Sequence, residues 1–162
     1  MAKTPRDAGA PPASRRAATA LIIVGSLVAS VAHAGLGEPA DSVPRDHVAL
    51  SGVTLRVTPM KSFDVHETTT ADGTRVRQYV SHVGTVFAVA WSGRALPALP
   101  VVLAKHYDAY LSATKEHRGN HHVLSIATPE LVLSVVRLPR GFTGSAYVPA
   151  LLPPGTSAQE LQ

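Results

Sequence analysis

Gly84-Thr85-Val86-Phe87-Ala88-Val89-Ala90-Trp91 is the stretch that decides the fold, and it contains the single tryptophan of the 162-residue chain. β-Branched and aromatic residues favour strands, and in this run both alternating sets of positions are apolar. Such a strand is typical of the inside of a sheet that is covered on both faces. We therefore predict a central strand. The small side chains predict that a helix packs on the face formed by Val86, Ala88 and Ala90. The other face would carry Phe87, Val89 and Trp91.

A β-hairpin is predicted immediately before this strand, over residues 63–70 and 74–81. Asp72-Gly73 suits a two-residue type I′ turn, which would pair Ala71 with Thr74. In that register Val65 lies opposite Val80, and the face with the valines is assigned to the core. The opposite face is assigned to solvent, and it carries the polar and aromatic side chains of His66, Arg75, Arg77 and Tyr79.

The rest of the pattern predicts one principal helix and several further strands. Apolar residues at three- and four-residue spacing predict an amphipathic helix over residues 99–115. A short helix over residues 43–50 follows Ser42, a candidate N-cap. Further strands are predicted over residues 54–58, 123–127, 131–138 and 142–148. The order indicates an α+β domain with a mostly antiparallel sheet of about five or six strands.

Residues 1–34 have the three parts of a secretory signal peptide. Basic residues come first, an uncharged apolar run of roughly 15 residues follows, and Ala32-His33-Ala34 supplies a small-x-small cleavage site. The run is shorter than the roughly 20 residues that span a bilayer. The paired Arg15-Arg16 leaves the twin-arginine export route open beside the ordinary one. We predict cleavage near Ala34, a periplasmic or secreted domain over residues 35–150 without a transmembrane segment, and a Pro-rich mobile tail over residues 151–162.

The charge of the chain depends strongly on this leader. Four of the 15 Lys and Arg and one of the 11 acidic residues lie in residues 1–34, so the remainder carries a net charge of about +1. A nucleic-acid partner is therefore not predicted, because it requires clustered basic charge on the folded domain. The chain has no cysteine, which excludes disulfides, thiolate metal sites and cysteine nucleophiles.

Three segments of the chain form a recognisable set: Arg77-Gln78-Tyr79-Val80-Ser81, the run from Gly84 to Gly93 with its Trp91-x-Gly93 ending, and Gly144-x-Ala146-x-Val148-Pro149. In these segments the chain resembles a family of small exported proteobacterial proteins catalogued as domain of unknown function 2844. Residues 32–37 resemble the family's junction between signal and mature chain. Ala104-Lys105 departs from the pattern. The resemblance implies secretion and a single small domain, and it brings no catalytic residue with it.

Histidines are the candidates for metal chemistry. His117, His121 and His122, with a carboxylate such as Glu116, could bind a divalent ion. The commoner use of such a segment is a solvated loop, and the H-E-x-x-H spacing is absent from the sequence. A metal-binding protein or metal-dependent enzyme that uses residues 117–122 is therefore the alternative function.

The leading function is binding. His66, Arg75, Arg77 and Tyr79 would form a basic, aromatic patch able to hold an anionic glycan, a lipid head group or an acidic protein surface. An ordinary solvated sheet face is the simpler interpretation of the same residues. The sequence contains no nucleophile elbow, P-loop or dinucleotide-binding motif. These patterns favour a non-enzymatic binding or accessory protein of the cell envelope, with an envelope or extracellular partner and without a cofactor.

Overall fold

The predicted central strand forms β4 (Val86–Gly93), the middle strand of a seven-stranded antiparallel sheet. The structure is a computed structural model and describes residues 35–116 and 122–161. The sheet order is β1-β2-β3-β4-β7-β6-β5. The other strands are β1 (Gly52–Pro59), β2 (Phe63–Thr70), β3 (Arg75–Ser81), β5 (Val123–Ala127), β6 (Val132–Leu138) and β7 (Gly141–Tyr147). The predicted α+β class is confirmed, but the strand count is seven and not five or six. The weakly alternating segment around residues 54–58 is a full edge strand.

The helices lie where the sequence predicts them, with two differences. The short helix is α1 (Val43–Ala49), but Ser42 does not cap it, because the Ser42 hydroxyl donates to the Pro39 carbonyl instead. The principal helix is divided into α2 (Leu99–Leu103) and α3 (Tyr107–Glu116). Ala104 lies between them with φ 46°, a left-handed conformation that a right-handed helix cannot include. Neither these helices nor any other in the described ranges has the length and apolarity to cross a bilayer.

The two faces of the sheet are covered by different parts of the chain. We call the face under the helices the helix face; it buries apolar residues of β3, β4, β6 and β7 against α1 and α2. A polar contact fixes α1 there, since Gln78 Nε2 donates to Asp46 Oδ2 over 2.7 Å and both residues are buried. We call the opposite face the arginine face, after Arg75 and Arg77.

The predicted register of the first hairpin is wrong by one residue. Val65 lies opposite Tyr79, and Thr68 lies opposite Val76. The cause is the turn: Gly73 has φ 83°, and the Asp72 carboxylate accepts hydrogen bonds from the Thr70 hydroxyl and from the Thr74 backbone N–H. The loop therefore has three residues, with a glycine in the left-handed region.

The shift exchanges the faces of β2 only, because a change of one residue reverses every side chain of a strand. Val65 and Glu67 lie on the arginine face with Arg77, whereas His66 lies on the helix face opposite Gln78. The assignments on β3 are correct in part. Val76 and Val80 enter the core, and Arg75 and Arg77 point outward, but Tyr79 is buried although it was assigned to solvent.

The predicted faces of β4 are also partly wrong. Val86 faces the helices as predicted, but Val89 and Trp91 do so as well, and Ala88 and Ala90 lie on the arginine face. A bulge explains the change, since Tyr79 pairs with Ala88 while Val80 pairs with Val86. The extra residue, Phe87, lies beside Ala88 on the arginine face.

The C-terminal segment covers one end of the arginine face. Leu152 and Leu161 belong to an apolar cluster with the aromatic side chains of β2, β3 and β4; the mobility predicted for residues 151–162 stays a prediction. Leu161 is 1% exposed. Phe87, Ala88 and Ala90 are apolar and the helices lie on the other face, so the C-terminal segment covers an apolar surface that the helices leave open.

Candidate functional site

Three of the four predicted binding residues lie together on the arginine face. Arg75, Arg77 and Tyr79 occupy alternate positions of β3, so their side chains project from the same face. His66 does not join them, because it lies on the helix face. Burial lowers the pKa of His66, and the nearby Asp64 carboxylate opposes that shift. The predicted patch therefore keeps Arg75, Arg77 and Tyr79, of which Tyr79 is buried.

Arg77 is held in place by its neighbours. Its Nε donates to Glu67 Oε2 over 2.9 Å, and these two residues lie directly opposite each other on β3 and β2. The bond to Glu67 raises the pKa of Arg77, and burial opposes that shift. Burial raises the pKa of Tyr79, and a hydrogen bond with Arg77 opposes the rise. Glu67, Arg77 and Tyr79 thus form a connected polar row across the two strands.

Arg75 is different, because it is exposed and its guanidinium has no hydrogen bond or ion pair among residues 35–116 and 122–161. It lies two residues from Arg77 along β3, at the edge of a cavity of about 260 Å³. We call this the serine cavity. Its remaining lining comes from the centre of the sheet and consists of Ala90, Trp91, Ser92, Ser134, Val136, Thr143, Gly144 and Ser145.

The serine cavity exists because the side chains that the central strands place on this face are small. Ser92 pairs with Thr143, Ala90 with Ser145, and Ser145 in turn with Ser134. The Thr143 hydroxyl donates to the Trp91 carbonyl over 3.3 Å. The hydroxyls of Ser92, Ser134 and Ser145 have no hydrogen-bond partner in the described part of the chain. They remain available as donors or acceptors to a bound molecule.

Sequence reasoning missed these hydroxyl residues. Their signal is weak: alternate small polar residues in two strands, Thr143 and Ser145 in β7 and Ser134 in β6. Their place beside Arg75 depends on the pairing of β4 with β7, which joins segments some 50 residues apart. This long-range pairing cannot be read from a local pattern.

The predicted metal loop lies mostly outside the described residues. His117 and His121 fall in the undescribed range 117–121, so the structure does not place them. His122 follows directly and is exposed. Elsewhere in the described ranges, no group of three or more histidine and acidic side chains is close enough to hold a metal ion.

The chemistry of the lining suits an anion better than it suits acid–base catalysis. A guanidinium and several hydroxyls are suited to carboxylate, phosphate or sulfate oxygens. General-base catalysis instead requires a base within hydrogen-bond reach of the group it deprotonates. No described histidine or carboxylate makes a hydrogen bond to Ser92, Ser134 or Ser145.

The comparison with protein families matches residues 32–161 to the family described as "Protein of unknown function (DUF2844)". The chain belongs to this family. The match confirms the resemblance noted in the sequence. In this DUF2844 protein it includes the whole sheet, the arginine face and the C-terminal segment up to Leu161. No curated protein and no solved structure matches the chain. The DUF2844 family carries no activity in its description, so function has to be inferred from the site itself.

Proposed function

We propose that this DUF2844 protein is an exported, non-enzymatic binding protein, and that its serine cavity receives an anionic group of a ligand or partner. The observation that carries the proposal is Arg75, an exposed guanidinium without a partner in the described residues, beside a cavity lined with hydroxyls. Charge-assisted hydrogen bonds from arginine to carboxylate or phosphate are among the stronger polar contacts in proteins.

The different environments of the two arginines support this proposal. Arg77 is engaged by Glu67 and so contributes mainly a fixed wall. Arg75 retains its full hydrogen-bonding capacity. The small residues Ala90 and Ser92 leave space for the bound group next to both arginines. The serine-cavity hydroxyls have no described general base within hydrogen-bond reach, which favours a role in binding over one in catalysis.

The first test is the substitution Arg75→Ala. We expect the protein to bind glucuronate and inorganic phosphate in preference to glucose, a neutral sugar of the same size as glucuronate. Loss of the Arg75 guanidinium should weaken anion binding by about tenfold or more, because a hydrogen bond to a charged group contributes about 1.5–3 kcal/mol. Isothermal titration calorimetry measures both affinities.

The matched control is Arg45→Ala, which removes an exposed arginine from α1 on the helix face. It should leave anion binding unchanged. If anions were held only by non-specific attraction to the net charge, Arg45→Ala would weaken binding as much as Arg75→Ala. Equal weakening in both variants, equal binding of glucose, or absence of anion binding at about 10 mM would each overturn the assignment of the serine cavity.

Export is the second part of the proposal and has its own test. It is supported by the basic, apolar and small-residue parts of residues 1–34. We expect the protein recovered from the periplasm or the culture medium to begin at Gly35 when its N-terminus is sequenced. Recovery of the intact chain with Met1 from the cytoplasm would contradict it.

A further inference from the structure

A second and larger cavity lies on the arginine face, beside the serine cavity. Its volume is about 590 Å³, within the roughly 300–1,000 Å³ of small-molecule sites. It lies between the β1–β2 connection, the start of β2 and the C-terminal segment. We call it the aromatic cavity. It is lined by Arg56, Thr58, Met60, Lys61, Ser62, Phe63, Val65, Glu67, Arg77, Tyr79, Gly155 and Glu160.

The floor of the aromatic cavity is apolar and firmly supported. The rings of Phe63 and Tyr79 pack edge to face with their centroids 5.8 Å apart, and Phe63 packs in the same way on Phe87 at 5.6 Å. All three residues are buried. Val65 continues the apolar floor, and Met60 is half exposed at the mouth. An apolar chain that binds to such a surface is stabilised by the hydrophobic effect, because its apolar area is removed from water.

The rim of the aromatic cavity favours negative charge. Arg56 and Lys61 are exposed there and have no ion pair within the described residues, and Arg77 adds a third cation. Of the two carboxylates, Glu67 is already paired with Arg77, which leaves Glu160 to oppose Arg56 and Lys61. A cationic rim above an apolar floor complements a molecule that has one acidic end and one apolar end.

Arg77 connects this cavity to the serine cavity, because its side chain lines both. We propose that the aromatic cavity binds the chain of an amphipathic anion, a single acyl chain that ends in an acidic group such as a long-chain carboxylate. The acidic end lies among Arg56, Lys61 and Arg77. Its extension toward Arg75 rests on the proposed function, whereas the apolar site does not.

The test is fluorescence displacement with the purified protein. A dansyl-labelled undecanoate serves as the probe, and dodecanoate is the competitor, below its micelle concentration. We expect dodecanoate to displace the probe at least tenfold better than butanoate, which lacks the chain, or dodecyltrimethylammonium, which has the opposite charge. Equal displacement by all three would overturn the proposal, as would absence of probe binding.

Variants locate the bound chain. Met60→Glu places a carboxylate at the mouth and Lys61→Ala removes a cation from the rim; each should weaken dodecanoate at least fivefold. Both positions are exposed, so we expect the variants to fold. The matched controls on α1 are Val48→Glu and Arg45→Ala, at positions that are also exposed, and they should change nothing. Unchanged affinity in Met60→Glu and Lys61→Ala would place the chain elsewhere.

Two further experiments are needed. One distinguishes a free acidic chain from a lipid membrane, and the other distinguishes the aromatic cavity from the serine cavity. Sedimentation with phosphatidylcholine vesicles, with and without phosphatidylglycerol, reports binding to a membrane surface. Vesicle binding without displacement of the probe by free dodecanoate would overturn the cavity proposal. Arg75→Ala distinguishes the sites: loss of glucuronate and phosphate binding with dodecanoate unaffected supports two independent sites. Loss of dodecanoate binding through Met60→Glu, with no small anion bound, supports the aromatic cavity and rejects the serine cavity.

Discussion

The substitution Phe87→Ala is expected to destabilise the protein by about 3–5 kcal/mol, the usual cost of removing a buried phenylalanine. Phe87 is completely buried, packs edge to face on Phe63 and contacts the cluster that holds Leu161. It is also the bulged residue of the central strand. Urea unfolding followed by tryptophan fluorescence measures the change, because Trp91 is the single tryptophan and is buried.

The controls separate loss of packing from loss of an aromatic ring. Phe142→Ala removes a half-buried ring that lies 5.8 Å from the Arg137 guanidinium carbon. We expect it to cost about 1 kcal/mol. Phe87→Leu retains most of the apolar volume and should cost less than about 1.5 kcal/mol. A Phe87→Ala variant that is no less stable than Phe142→Ala would show that the aromatic cluster is not packed as described.

The strands and helices of this protein could be predicted because their signals are local. The run from Val86 to Trp91 is apolar at every position and so indicates an inner strand, whichever face each side chain takes. The helical spacing from Leu99 onward likewise predicts α2 and α3 without knowledge of their partners. The interruption at Ala104 could not be predicted, because alanine favours helices.

The faces could not be predicted, because they depend on single residues in a turn and a bulge. At the turn, the Asp72 side chain bonds to Thr74 and makes a three-residue loop where Asp-Gly alone suggests two. At the bulge, Phe87 adds one residue to β4 relative to β3. Each device moves side chains by one position, and with a period of two this is enough to reverse a face.

The candidate site shows the same division. Arg75, Arg77 and Tyr79 could be grouped from their spacing in one strand. Ser134 and Ser145 come from β6 and β7, which join the sheet beyond β4, and the cover of the aromatic end comes from the C-terminal segment. Neither contribution has a periodic signal. A Pro-rich composition indicates irregular structure, and irregular structure need not be mobile.

The C-terminal segment yields the second large expected effect, from Leu161→Ala. Leu161 is buried in the apolar cluster that also contains Phe63, Phe87 and Ala88. Removing a buried leucine side chain costs about 2–5 kcal/mol, and we expect the lower part of this range because a chain terminus can readjust. Urea unfolding measures the loss. Leu151→Ala, at an exposed position in the same segment, is the matched control and should change stability by less than about 0.5 kcal/mol. A segment that is mobile, as its composition suggests, would give no change in either variant. A loss confined to Leu161→Ala would instead establish the segment as the second cover of the sheet.

Because Gly155 and Glu160 line the aromatic cavity, the Leu161→Ala variant should also weaken binding of the dansyl-labelled undecanoate. Leu151→Ala should leave that binding unchanged.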